Sequence, residues 1–375
     1  MKKIVFLSGT RADFGKIKSL LQILQNNEAF ESHIFVTGMH LQRQYGYTLI
    51  EVEKAGFKNI STFENFTHET TMDLTLAKTI EGFSAYIKKL KSDLIVVHGD
   101  RVEALAGAIV GSLNNVLVAH IEGGEISGTI DELIRHSVSK LSHIHFVSNS
   151  EAEKRLIQMG ELSNSIFEIG SPDVDIMFSR DLPTIDKVKE YYDITFNHYA
   201  IAMFHPVTTE FGHIKKYAKN FVSALIESNK NYVVIYPNND LGSSIILDAY
   251  QKLKKYKNFR ILPSLRFEYF LTLLKNTDFI IGNSSAGVRE SPYYGISTIN
   301  VGTRQQNRVL NKTILNCNYS KMDILEQIKL AELVPDRVLK NNFGGGNSAQ
   351  KFIKILSKRT FWEISQQKQF KDLNS

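Results

Sequence analysis

Cysteine is nearly absent from this 375-residue chain: Cys317 is the only one. A single thiol excludes an internal disulfide and any cysteine-based zinc site. It fits a reducing compartment, and its expected place is as a small buried side chain. Long apolar runs are also missing. None approaches the ~20 residues of a membrane span. The apolar stretch at residues 4–7 leads straight into a polar turn, too soon for a secretory signal, so the expected location is cytoplasmic and no membrane partner is expected. No repeat of 20–50 residues marks a solenoid. Charge of one sign is scarce overall, with 45 Lys/Arg against 39 Asp/Glu, a net +6. That sum hides a split: residues 1–180 carry 18 Lys/Arg against 22 Asp/Glu, and the remainder 27 against 17. An acidic half joined to a basic half suggests two tasks, the basic one suited to nucleic acid or to a phosphorylated small molecule. The lysines of residues 252–257 lack interleaved aromatics apart from Tyr256, so they read as a solvated helix face and no nucleic-acid partner is expected. With 43% hydrophobic and 22% charged residues, disorder and fibres are excluded as well.

What is present is alternation. Short β-rich apolar runs recur at residues 4–7, 34–37, 94–97, 116–119, 144–147 and 166–169, with amphipathic stretches such as 16–25 and 103–113 between them. Runs apolar on both faces predict a parallel sheet covered on both sides. The second half repeats the theme at residues 199–204, 232–236, 260–262, 279–281 and 298–301. The expected fold is therefore α/β, two doubly wound Rossmann-like domains. We place them at residues 1–180 and 181–360, with a last helix at 361–375 packing back on the first domain. The glycine-rich patch at residues 343–346 is expected to be a mobile loop.

Ligands bind beyond the carboxyl ends of the strands in such sheets, and the unusual polar clusters fall there. They are Gly9-Thr10-Arg11-Ala12-Asp13, His98-Gly99-Asp100-Arg101, His120-Ile121-Glu122-Gly123-Gly124-Glu125 with Asp131 and Arg135, His205-Pro206, Pro237-Asn238 and Gly282-Asn283-Ser284-Ser285. The first is neither a P-loop nor a dinucleotide fingerprint. Arg11 and Lys16 beside it favour an anion. The Gly282 cluster predicts a strand running into a helix start that binds an anion, with Glu290 about one and a half turns in, or else a serine that only caps. Neighbouring carboxylates at Asp100, Glu122, Glu125 and Asp131 repel unless some are protonated or paired with Arg101 or Arg135, and pKa values pushed apart suit acid/base work. His98, His120 and His136 lie near enough in sequence to raise a metal site, but no ligand spacing such as H-E-x-x-H supports one, and no metal is expected.

Taken in order, these motifs, with His205-Pro206-Val207-Thr208-Thr209 and Gly302-Thr303-Arg304-Gln305, resemble the hydrolysing UDP-N-acetylglucosamine 2-epimerases of sialic-acid biosynthesis. The resemblance implies a GT-B-like pair of domains facing across a cleft. It implies conversion of UDP-N-acetylglucosamine and water to UDP and N-acetylmannosamine, with no cofactor, by a homodimer or homotetramer. It assigns Asp100, Glu122 and Asp131 to acid/base steps. It places Arg11, Lys16, Arg101, His205, Asn238, Ser284, Ser285, Glu290 and Arg304 around UDP and Phe270 near uracil. Three alternatives remain open. One is the same reaction on a UDP-2,4-diacetamido-2,4,6-trideoxy sugar of the legionaminic-acid pathway. The others are a non-hydrolysing 2-epimerase and a glycosyltransferase on the same fold.

Overall fold

The computed structural model describes residues 1–66, 71–306, 308, 313–331 and 342–372. The chain divides into two compact units, each built on one parallel sheet. The first unit comprises Met1–Glu125, Asp131–Arg180 and Asn342–Ser375. Its strands are β1 (Lys2–Ser8), β2 (Phe30–Val36), β3 (Ile60–Thr62), β4 (Leu94–His98), β5 (Leu117–Ile121), β6 (Ile144–Val147) and β7 (Ile166–Glu168), in the order β3-β2-β1-β4-β5-β6-β7. The second unit comprises Ile126–Ile130 and Asp181–Asn341. Its strands are β8 (Ala200–Met203), β9 (Tyr232–Ile235), β10 (Phe259–Leu262), β11 (Phe279–Gly282), β12 (Ser297–Val301) and β13 (Ile314–Cys317), in the order β10-β9-β8-β11-β12-β13. The winding reverses between β1 and β4 in one sheet and between β8 and β11 in the other. Those two switch points are where a doubly wound sheet opens a crevice for ligand.

The central strands are almost wholly buried, as covered parallel strands must be: every residue of β5, β6, β9, β11 and β12 is out of solvent. The helices that cover them bury one stripe. In Arg11–Gln25 the stripe is Phe14, Ile17, Leu20, Leu21 and Leu24, the three-and-four spacing of a half-buried helix. The helix starts where Thr10 caps it, the threonine Oγ1 accepting the Asp13 N–H at 3.1 Å. Two of the four edge strands, β3 and β13, escaped the sequence reading, being short and half-exposed without a continuous apolar run. Cys317 lies on β13 and is only partly buried, with burial pushing its thiol up to about 12.

The C-terminal boundary lies earlier than expected. The chain rejoins the first unit at Asn342 rather than near 361. Helix Ser348–Leu356 makes the return, seating Phe352 against Phe6 and Phe146 with ring centroids 6.4 and 4.9 Å apart. Beyond it the described residues form a single 3₁₀ turn, Arg359–Glu363, and no further helix. The glycine patch is pinned, not loose. Phe343 O accepts the Ser171 N–H at 2.7 Å, and a Cβ on Gly344 (φ +107°) would stand 2.8 Å from the Gly170 Cα, so the two backbones meet where only glycine fits. Both oxygens of Asp175 then accept the first amides of the returning helix, from Ser348 and Ala349, each at 2.8 Å. Among the described residues no helix is long and apolar enough to cross a membrane.

Candidate functional site

The switch point of the first sheet carries a row of three ionisable groups. Asp13 sits in the first turn of the Arg11–Gln25 helix, where its Oδ2 accepts the Gly9 N–H at 3.0 Å. Its Oδ1 is 2.9 Å from Nδ1 of His98, the last residue of β4. The other ring nitrogen, Nε2, is 3.2 Å from Oε1 of Glu122, just past β5. Burial alone would push the His98 imidazole down. The two carboxylates, Glu122 foremost, outweigh that and push it up to about 9.

Glu122 is held from several sides. Its backbone lies in the left-handed region at φ +67°, a conformation that disfavours a side chain and persists where surrounding contacts over-determine it. Arg135 Nη1 donates to its carbonyl at 3.1 Å, and Ser171 Oγ donates to its Oε1 at 3.4 Å. Lys16 Nζ lies 3.6 Å from that Oε1 and 3.8 Å from Oδ2 of Asp173. Arg135, only 1% exposed, is the hub of the cluster. It donates to Asp100, and its Nη1 is 3.6 Å from Glu125 and 3.9 Å from Glu122. Asp131 stands one turn before Arg135 on helix Ile130–Leu141, on the same face. Lys16 is therefore a member of the carboxylate cluster. Arg11 pairs with Glu51 at 3.6 Å, and Arg101 donates to Glu103 at 3.2 Å.

The histidines nearby behave differently from one another. His40 is buried between Ser8 Oγ (3.0 Å) and Thr48 Oγ1 (2.7 Å), and burial pushes it down to about 4. His120 lies 2.8 Å from Gly99 O and 3.0 Å from Ser139 Oγ, and burial pushes it down to about 3. Both are neutral at pH 7. His136 faces Glu132 at 3.7 Å on its own helix. Among the described residues no group of three His, Cys, Asp or Glu side chains is arranged to hold a metal ion.

The second switch point is built around two uncharged side chains, His205 and Asn283. His205 ends the segment after β8 and Asn283 follows β11. The Asn283 Oδ1 accepts the His205 N–H at 2.6 Å, and its Nδ2 donates to the His205 carbonyl at 2.9 Å. Nδ1 of His205 accepts the Asn238 N–H at 3.0 Å. That bond fixes the tautomer: the neutral ring carries its proton on Nε2, a donor. The carbonyl of Asn283 accepts from Gln305 Nε2 at 2.8 Å and Arg304 Nη1 at 3.3 Å. The loop that bears Arg304 is tied down by Glu210, which accepts from Thr303 Oγ1 and from the Tyr319 hydroxyl, each at 2.6 Å. Gly282 lets β11 pass this close. Its φ is +132°, and a Cβ would meet the Met203 carbonyl at 1.9 Å.

After β11 the structure departs from expectation. No regular α-helix opens at Ser284. Two 3₁₀ turns, Ser285–Gly287 and Ser291–Tyr294, follow one another, so the helix dipole invoked for an anion there is not available. Ser284 caps the first turn, its Oγ accepting the Ala286 N–H at 3.3 Å, with Ser285 beside it. Glu290 is buried at 3% exposure next to Arg289 at 4%, not solvated. Phe270 lies on helix Phe267–Lys275 and is largely buried.

Sequence reasoning passed over Asp13, Asp173, Asn283 and Gln305 as site residues and weighed His98 only as a metal ligand. Asp13, His98, Asn283 and Gln305 stand inside the motifs quoted above, so their neighbours in those motifs were the available signal. Asp173 follows β7 and had none.

A sequence model described as UDP-N-acetylglucosamine 2-epimerase matches residues 22–357. A UDP-N-acetylglucosamine 2-epimerase of Neisseria meningitidis serogroup B is 46% identical over 379 aligned positions that span both chains entirely. A UDP-N,N'-diacetylbacillosamine 2-epimerase (hydrolyzing) of Legionella pneumophila is 31% identical, covering 95% of this chain and 96% of its own. The solved structure of a Methanocaldococcus jannaschii UDP-GlcNAc 2-epimerase in complex with UDP-GlcNAc and UDP superposes with a TM-score of 0.82 at 22% identity, over 95% of this chain and 99% of that one. This last is an agreement of fold, two Rossmann-like units each built on a parallel sheet.

Proposed function

The chain belongs to the UDP-N-acetylglucosamine 2-epimerase family, and we propose that it is a hydrolysing member, taking UDP-N-acetylglucosamine and water to UDP and N-acetylmannosamine. In this reading the C1–O bond to UDP breaks first, and the bonding pair leaves with the diphosphate. Positive charge developing at C1 acidifies the C2 proton, which a carboxylate removes to give 2-acetamidoglucal. Protonation at C2 from the opposite face and addition of water at C1 then give the epimer. Acid and base groups are needed on both faces of the ring, which is the work of Asp100, Glu122 and Asp131. The second unit supplies donors for the diphosphate: His205 through Nε2–H, Arg304, and the amide and hydroxyl groups around Asn238, Ser284 and Ser285. Glu290 takes the ribose hydroxyls and Phe270 the uracil. Arg11, Lys16 and Arg101 complete the positive surroundings of the diphosphate.

The observation that carries the reading is Glu122, a carboxylate in a strained backbone position with Lys16, His98 and Arg135 all directed at it. A base for a carbon acid must be ionised and fixed before substrate arrives. The 46% identity to a UDP-N-acetylglucosamine 2-epimerase favours that sugar. The 31% relative, named as hydrolyzing, supports release of free sugar and makes the diacetamido sugar the second reading. The test is incubation with UDP-N-acetylglucosamine in D₂O followed by NMR. Free UDP and N-acetylmannosamine deuterated at C2 are expected. UDP-N-acetylmannosamine as product would overturn hydrolysis, and turnover of only the diacetamido sugar would overturn the substrate.

A further inference from the structure

We propose that His98 is a positioning residue for this reaction: fixed as an imidazolium between Asp13 and Glu122, it keeps Glu122 ionised and aimed for proton abstraction. The inference rests on the proposed role of Glu122 as an acid/base group and adds to it a residue that never touches the sugar.

Nδ1 of His98 is 2.9 Å from an Asp13 oxygen and Nε2 is 3.2 Å from a Glu122 oxygen. An ionised carboxylate only accepts. A neutral imidazole has one N–H, so one nitrogen would turn its lone pair on a carboxylate oxygen. Two protons on the ring remove that conflict, and burial of both His98 and Glu122 makes the conflict costly if it is not removed. Asp13 is the fixed end of the row, because the Gly9 N–H and the start of the helix hold its other oxygen. The left-handed backbone fixes the Glu122 end. The ring stands between them within ion-pair distance of both, with neither contact aligned as a hydrogen bond, so the pairing is one of charge.

Charge balance gives a second, independent reason. The groups that face this row are Asp13 and Lys16 from the first helix, Asp173 from helix Pro172–Met177, Arg135 from helix Ile130–Leu141, Asp100 and Glu125 from the loops after β4 and β5, and neutral His120 on β5. Lys16 is shared between Glu122 and Asp173, and Arg135 among Asp100, Glu122 and Glu125. Among the ion pairs seen between described residues, two permanent cations serve four carboxylates, with Asp13 a fifth. Removing the ring's positive charge would leave Glu122, more deeply buried than Asp13 at the other end of the row, as the place for a proton to go. A protonated Glu122 is no base. The upward push on His98, to about 9 against its burial, agrees with this balance.

The test uses the intact enzyme and its conversion of UDP-N-acetylglucosamine. In His98→Gln, which keeps the volume and loses the charge, kcat at pH 7 should fall by about 10- to 100-fold with KM changed less than about threefold. The acid limb of the kcat–pH profile should move upward by roughly one unit or more, so that the deficit shrinks as pH rises. A deficit of the same size at every pH would mean a merely structural histidine and would overturn the proposal. Should that variant fold poorly, Asp13→Asn keeps the ring and weakens its charge, and a smaller upward shift of the same limb is expected. A readout apart from activity is long-range ¹H–¹⁵N NMR of the wild type labelled at histidine. Both His98 nitrogens should be protonated at pH 7.5, and Asp13→Asn should lower the pH at which one proton leaves. One bare ring nitrogen at pH 7.5 in an enzyme that turns over would overturn the role of His98. Absence of N-acetylmannosamine from the wild type would fall on the proposed function instead.

Discussion

The two switch points solve different problems with the same topology. In the first sheet the crossing between β1 and β4 is ionic: Asp13 meets His98, which meets Glu122, with Lys16 and Arg135 behind. In the second the crossing between β8 and β11 is neutral: Asn283 clasps both backbone polar groups of His205, and an amide fixes the ring tautomer. Buried charges are costly unless every one has a partner, and they are worth keeping where a proton must move. Buried amide pairs cost little and hold donors still, which is what binding an anion asks. The contrast says that an α/β switch point fixes only where chemistry happens. Which chemistry depends on whether charge or amide fills it.

The strongest way to break this contrast is to neutralise a carboxylate at the ionic crossing. Glu122→Gln and Asp100→Asn should each lose more than about 100-fold in kcat while UDP still binds, as read by steady-state assay and calorimetry. Weak UDP binding in either would blur the division of labour. At the neutral crossing the effect should fall on binding instead. Asn283→Ala releases the His205 backbone while leaving the main-chain carbonyl that holds Arg304, and we expect UDP affinity to drop by about 10-fold, the worth of one hydrogen bond to a charged group.

The pH dependence of stability should also carry opposite signs within the first unit. His98 has its folded value raised to about 9, so its contribution is complete below about 6.5 and is lost as pH rises through 9. His40 and His120 are depressed to about 4 and about 3, so theirs is present above about 6.5 and is lost as pH falls toward those values. Urea midpoints measured from pH 4 to 10 should show both slopes, and His98→Gln should flatten only the alkaline one. The smallest expected effect is that of Ser284→Ala, which removes a cap from a single 3₁₀ turn and should cost about 1 kcal/mol or less in thermal or urea unfolding.

Most of the strands were legible in the sequence, because a parallel sheet covered on both faces writes itself as a run of apolar residues. β3 and β13 were not, since each is short and half-exposed and carries no such run. The carboxylates Asp100 and Glu122 were legible because polar residues directly after strand ends have few other reasons to be there. The roles of Asp13 and His98 were not, because their meaning lies in a pairing between residues 85 positions apart that only the β1–β4 neighbourhood creates. Local motif logic also misjudged the turns after β11. Small residues before a hydrophobic stretch suit an α-helix start, but Pro292 stands about two turns on and the structure answers with two short 3₁₀ turns.

The return of the chain at Asn342 has a consequence for how the molecule is made. Phe352 completes the aromatic cluster with Phe6 and Phe146, and it is synthesised some 200 residues after Phe146. During translation the residues of the second unit up to 341 therefore emerge while the first still has an open seat in its core. Folding order and reading order run against each other here. The half that begins the polypeptide is the last to close.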